Sequence, residues 1–140
     1  MNQPEVPDSL STRVSLRTRW CDEDNQAVLN NAVYMTLFEE GRREYFDGLG
    51  LLEHNQFPFL LAQTNVRFLR PGRGGVAIEL DLGTTRLGRS SFQQAYRLRG
   101  PGGTVWAEAE ALLVCYDPAT GASRPMTDAF RAALAGREGL

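Results

Sequence analysis

An α+β fold, with a five-stranded antiparallel sheet packed around one long helix, is what three features of this 140-residue chain predict. One alternating stretch comes first, a helical apolar period runs from Asn31 to Tyr45, and four further alternating stretches follow between glycine-rich breaks. Those breaks are too short to hold crossover helices, so successive strands run antiparallel. With 42% apolar residues and both charge signs mixed throughout, the chain fits one domain able to bury a real core.

Residues 1–11 are polar and proline-containing and read as a flexible N-terminal segment, leaving 12–136 as the single domain. In RVSLRTRW (13–20), Val14, Leu16, Thr18 and Trp20 alternate with Arg13, Ser15, Arg17 and Arg19, the period of a strand with one solvated face. From Asn31 the period changes to that of a helix. Tyr34, Leu37, Phe38, Gly41 and Tyr45 recur along one face, while Ala32, Val33 and Met35 extend the apolar surface nearly all round the first two turns, which predicts a helix surrounded by protein. Glu39 and Arg43 form an i,i+4 pair of favourable orientation. Gly41 costs about 1 kcal/mol against alanine in a helix interior, so it predicts a close backbone approach. DGLGL (47–51) ends the helix.

Beyond Pro58 the stretches FLLAQTNVRFL, GVAIELDLGTTRL, SSFQQAYRLR and TVWAEAEALLVCYD read as a meander. Alternation is strict at Val76, Ile78, Leu80 and Leu82, and again at Val105, Ala107, Ala109, Ala111 and Leu113. The alanines leave space that the buried helix is suited to fill. After the turn DPATG (117–121), TDAFRAAL (127–134) is a short amphipathic helix opened by Thr127 or by Asp128 in its first turn.

A net charge of -2 supplies no basic field for nucleic acid, although all the cationic side chains are arginine. Cys21 and Cys115 lack metal-ligand spacing, and Cys115 sits in an apolar alternation as a small buried thiol. No signal peptide is recognisable at the N-terminus, and no run approaches the ~20 apolar residues that span a bilayer. The expectation is a cytoplasmic protein without disulfide, metal, membrane or nucleic-acid partner.

The acids Asp22, Glu23 and Asp24 stand directly before the helix. Residue chemistry alone reads such a cluster as capping or complementing the helix start. Asn30 is the N-cap candidate, Asp22 a loop partner for Arg17 or Arg19, and Glu23 a solvated side chain. Tyr34 packs in the core or lines a pocket, and Gln63 and Thr64 are polar positions in an apolar strand. His54, the one histidine, lies in a connecting segment with nothing at a spacing that would orient it.

The run RWCDEDNQAVLNNAVYMTLFEEGRREYF resembles the 4-hydroxybenzoyl-CoA thioesterase family of hotdog-fold acyl-CoA hydrolases, whose pattern is R-[YW]-x-D-x-D-x-x-G-H-V-N-N-x-x-Y followed by E-x-x-R. The matching residues are Arg19, Trp20, Asp22, Asp24, Asn30, Asn31, Tyr34 and the Glu39/Glu40 with Arg42/Arg43 region. FLRPGRGG, RLGRSSFQQAYRL and DPATG extend the likeness over about residues 12–134. Ala27 and Val28 depart from the pattern, standing where the family has glycine and often histidine.

The resemblance implies a hotdog fold with a short C-terminal helix, and a homodimer or homotetramer with active sites at the subunit interface. It implies an acyl-CoA thioesterase in which Asp24 is nucleophile or general base and first-turn amides, including that of Asn31, hold the thioester oxygen. Arg89 with Ser90 and Ser91, and Arg124, are the candidates for the phosphates of coenzyme A, against the plain reading of solvated arginines. Coenzyme A is then part of the substrate, and no cofactor is required. A hydratase is disfavoured for want of a histidine at the helix start. A non-catalytic acyl-CoA or acyl-carrier binding hotdog protein is the alternative.

Overall fold

The computed structural model describes all 140 residues. In chain order it forms β1 (Thr12–Arg17), α1 (Asn31–Gly48), β2 (Phe59–Phe68), β3 (Ala77–Leu87), β4 (Ser91–Arg99), β5 (Val105–Cys115) and α2 (Asp128–Glu138). The sheet order is β1-β3-β4-β5-β2, with every pairing antiparallel. The predicted meander holds for β3, β4 and β5. β2 departs from it by crossing to the far edge beside β5, because α1 and its following loop carry the chain over the sheet. No helix is long and apolar enough to cross a membrane.

α1 packs against one face of the sheet. Its buried residues Tyr34, Leu37, Phe38, Gly41, Tyr45 and Phe46 repeat the face read from sequence. Phe38 stacks on Tyr96 at 5.1 Å between ring centroids, and Phe46 meets Phe59, Phe92 and Phe130. Burying a ring of this size is worth about 1.5–3 kcal/mol, so this aromatic group is the main anchor of the helix C-terminal half. Tyr96 pairs with Ala109 across the β4–β5 ladder, and the alanine leaves the large ring its space. The opposite face of α1 is less covered than its apolar pattern predicts: Ala32 is exposed, and Val33 and Met35 are half-buried. The Glu39–Arg43 pair does not form, because Arg43 donates instead to the Asn55 carbonyl and side chain in the following loop.

One other expectation changes. Trp20 is 82% exposed rather than part of the inner face of β1, since the strand ends at Arg17 and a 3₁₀ turn over Trp20–Asp22 breaks the alternation. The N-terminal segment makes specific contacts, with Arg97 donating to the carbonyls of Pro7 and Asp8 and Asn65 to that of Asn2. α2 begins as read, capped by the Thr127 hydroxyl on the Phe130 amide, and runs four residues further, to Glu138.

The segment between β1 and α1 is a tight hairpin. Glu23 and Leu29 bridge, the Asp24 amide donates to the Val28 carbonyl at 2.9 Å, and the Ala27 amide donates to the Asp24 carbonyl at 3.1 Å. Ala27 has φ of 58°, a left-handed conformation that suits glycine and costs an L-residue about 1 kcal/mol.

Ala27→Gly is expected to stabilise the protein by up to about 1 kcal/mol in urea unfolding, the relief of strain exceeding the entropy glycine adds to the unfolded chain. A Cβ on Gly41 would collide with the fully buried Leu80 side chain. Gly41→Ala is therefore expected to destabilise by about 1–2 kcal/mol despite its better helix propensity. Leu80→Ala should cost less in that background than alone, and additive costs would place the collision elsewhere.

Candidate active site

The start of α1 is built by Asn30. Its side-chain oxygen accepts from the Ala32 amide at 3.0 Å and its carbonyl from the Val33 amide at 2.9 Å, while its own amide donates to the Asp22 carbonyl. The Asn31 amide, by contrast, meets no acceptor, and Asn31 is exposed. An open N–H at the positive end of an 18-residue helix is a ready site for an oxygen that carries or gains negative charge. Gly72 lets this end seat closely: its carbonyl accepts from the Leu29 amide, and a Cβ there would lie 2.7 Å from Trp106 and 2.8 Å from the Tyr34 hydroxyl. Tyr34 is buried, and burial pushes its hydroxyl above the ordinary range, the hydrogen bond with the Gly72 backbone opposing this.

Asp24 sits in the hairpin that returns to this end. It is half-buried, and its Oδ1 accepts from the Gln26 amide at 2.8 Å while Oδ2 has no partner within the chain. One oxygen thus orients the carboxylate and the other is left without a partner. Asp22 has a different job. It is buried and takes the Arg19 amide at 2.8 Å and the Arg19 guanidinium at 2.9 Å. Burial works to raise its pKa, but these bonds together prevail and hold it below the usual carboxylate range. Glu23 is not solvated as expected, because the Gly74 amide donates to it at 2.9 Å and pins the hairpin to the loop before β3.

Arg89 and Ser90 lie in the turn between β3 and β4 and Ser91 opens β4, with the Arg89 side chain exposed and without an ion pair. Phe92, at the start of β4 just beyond that turn, packs on Phe46, near the C-terminal end of α1. Tyr34 meets Phe68 at the N-terminal end. The 18 residues of α1 extend about 27 Å, so within one chain the turn bearing Arg89 lies far from Asp24 and Asn31. Arg124 pairs with Glu53 and approaches Asp117 at 4.0 Å, so its charge is already shared. Thr64 donates to the Glu110 carbonyl at 3.0 Å, Gln63 is exposed, and His54 is exposed with φ of 50°.

One charged residue escaped the reading of the sequence as a site. Arg42 is 5% exposed and borders a cleft beside the second half of α1. Its position one residue after Gly41, on the buried face, was the available signal. No three His, Cys, Asp or Glu side chains come together as a metal site.

The fold recurs among solved structures. A thioesterase from Thermus thermophilus, complexed with coenzyme A and Zn, is 28% identical, with a TM-score of 0.83 over 96% of this chain and 99% of that one. The PA5185 protein of Pseudomonas aeruginosa strain PAO1 is 24% identical, with a TM-score of 0.80 over 94% and 97%. Slr0204 of Synechocystis, a 1,4-dihydroxy-2-naphthoyl-CoA thioesterase, is 15% identical, with a TM-score of 0.76 over 87% and 93%, a likeness of fold. No curated protein matches by sequence. The family model of the thioesterase-like superfamily matches residues 16–134, nearly the whole folded chain from β1 into α2. With its five antiparallel strands and central helix, this hotdog-fold protein belongs to the thioesterase-like superfamily.

Proposed function

We propose that the protein is an acyl-CoA thioesterase, hydrolysing a thioester to a carboxylic acid and free coenzyme A. The observation that carries this reading is the open Asn31 amide at the start of α1, with the Asp24 hairpin folded back to the same end. A thioester carbonyl oxygen at that amide would gain charge as the tetrahedral intermediate forms, and one such donor is worth about 3 kcal/mol in the transition state. Asp24 acts through its unpaired Oδ2. As a general base it takes a proton from water, hydroxide adds to the carbonyl, and the intermediate expels the thiolate, which picks up a proton. As a nucleophile it displaces the thiolate directly and water then cleaves the mixed anhydride.

The site is completed by a second copy. β2 is an edge strand paired on one side only, and Leu60, Leu61, Phe68 and Leu69 on and just beyond it are exposed. Such an edge is a template for strand pairing. Two copies joined there about a two-fold axis run antiparallel, which reverses one chain end for end against the other. The helix start of one copy then faces the end of its partner that bears the Arg89 turn. Arg89, with Ser90 and Ser91, is the cationic group free to meet the phosphates of coenzyme A, whereas Arg124 is engaged with Glu53.

Release of free thiol from short, long and aromatic acyl-CoAs tests the chemistry. Asp24→Asn keeps an oxygen to accept from the Gln26 amide, so the fold should be retained while kcat falls by about a hundredfold or more. Equal rates in both proteins would remove Asp24 from the reaction. Failure to release thiol from any substrate would favour a binding protein instead.

Arg89→Ala should raise KM about fivefold at low salt with kcat little changed, the loss of one charge-assisted contact. Co-expressed Asp24→Asn and Arg89→Ala chains should recover a fraction of low-KM turnover, because one site in each mixed dimer is intact. Absence of any recovery would show that both residues serve the same site from one chain.

A further inference from the structure

The second half of α1 borders a cleft of about 620 Å³ to which the reaction above assigns no role. Phe57, Phe59, Leu61 and Leu113 supply apolar walls, Glu39 and Arg42 stand on the helix side, and the volume is that of a small-ligand pocket. Arg42 is the unusual member. It is 5% exposed and has no carboxylate within ion-pair distance. Its Nη1 donates to the Tyr96 hydroxyl at 3.1 Å, the guanidinium lies 5.7 Å from the centre of the Tyr96 ring, and Nε is buried without a partner. Nη2 also lacks a hydrogen bond but is not sealed from solvent, and because Arg42 lines the cleft, this donor opens there.

The head group is held in place. Tyr96 donates to Gln94 Oε1 at 2.6 Å, and Gln94 Nε2 donates to the Thr84 hydroxyl at 3.2 Å. Thr84 and Tyr45 share a hydrogen bond of 3.0 Å, and Tyr45 donates to Glu138 at 2.7 Å. With Tyr45 donating onward, every link in this buried chain can point from cation to anion, and cooperative polarisation then strengthens the links. Yet the balancing carboxylate sits four side chains away. A desolvated guanidinium whose counter-charge is so distant is costly unless an anion joins it. Guanidinium groups match the planar acceptor pair of a carboxylate. Glu39 and Glu40 at the exposed rim disfavour multiply charged groups such as the phosphates of coenzyme A. The cleft lies at the Phe92 end of the chain, which in the proposed dimer faces the partner's helix start, so it suits the acyl end of a substrate held there.

We infer that Arg42 is a specificity residue that binds a carboxylate at the far end of the acyl group, making carboxyl-terminated acyl-CoAs the preferred substrates. The inference rests on the thioesterase reading of the helix start.

The test compares matched pairs, octanedioyl-CoA against octanoyl-CoA and 4-carboxybenzoyl-CoA against benzoyl-CoA, in the wild type, Arg42→Lys and Arg42→Gln. The wild type should favour the carboxylated member of at least one pair by roughly tenfold or more in kcat/KM, mainly through KM. Arg42→Gln should abolish that preference while turnover of the uncharged member persists, and Arg42→Lys should keep part of it. Absence of a preference in the wild type overturns the inference, a result that needs no folded variant, and so does a preference that survives in Arg42→Gln. If no thioester is cleaved, the thioesterase reading fails by itself. Calorimetry with octanedioate and octanoate on the wild type then decides: tighter dicarboxylate binding supports the role of Arg42, and equal or absent binding overturns it.

Discussion

Close seating of α1 on the sheet is the constraint on which the remaining structure depends. At Gly41 the helix comes so near β3 that even a methyl group would meet Leu80. On either side of that point large aromatics fill the widening space, Phe38 on Tyr96 and the Phe46 group toward the helix C-terminus. A helix clamped in its middle and anchored at one end has little freedom to slide or rotate, because close-packed interiors do not deform continuously. The placement of the helix start is therefore a consequence of core packing some distance away.

That rigidity matters because the proposed site is built from backbone as much as from side chains. Asn30 takes up the Ala32 and Val33 amides and leaves that of Asn31 open, and Asn30 is itself tied to the Asp22 carbonyl. Asp22 in turn is locked by Arg19, and Glu23 fastens the same hairpin to Gly74. Three adjacent acids thus do three separate things, pinning, bridging and presenting a carboxylate. Their proximity in sequence does not make them a cluster in space.

Element positions were largely readable from the residues. The helical face through Tyr34, Leu37, Phe38, Gly41 and Tyr45, the strand alternations and the Asn30 and Thr127 caps all express local periodicity and local hydrogen bonding. Readings that failed concerned where a side chain goes once neighbours distant in sequence compete for it. Trp20 continued an alternation on paper but follows a strand that ends at Arg17, and Arg43 found Asn55 rather than Glu39. Glu23 met an amide from a loop 51 residues away. Arg42 was recognisable as part of a motif, but its burial and its missing partner were not.

By itself, then, the amino-acid order determined the number and kind of elements, the antiparallel character of the sheet, the buried face of α1 and the capped helix start, because each depends on spacing over a few residues. Only the tertiary structure decided that β2 lies at the far edge, that Asp24 and Arg89 stand at opposite ends of one chain, and that Arg42 opens on a cleft. Those facts arise from contacts between segments far apart in sequence, whose geometry is settled jointly by the packing of the whole core.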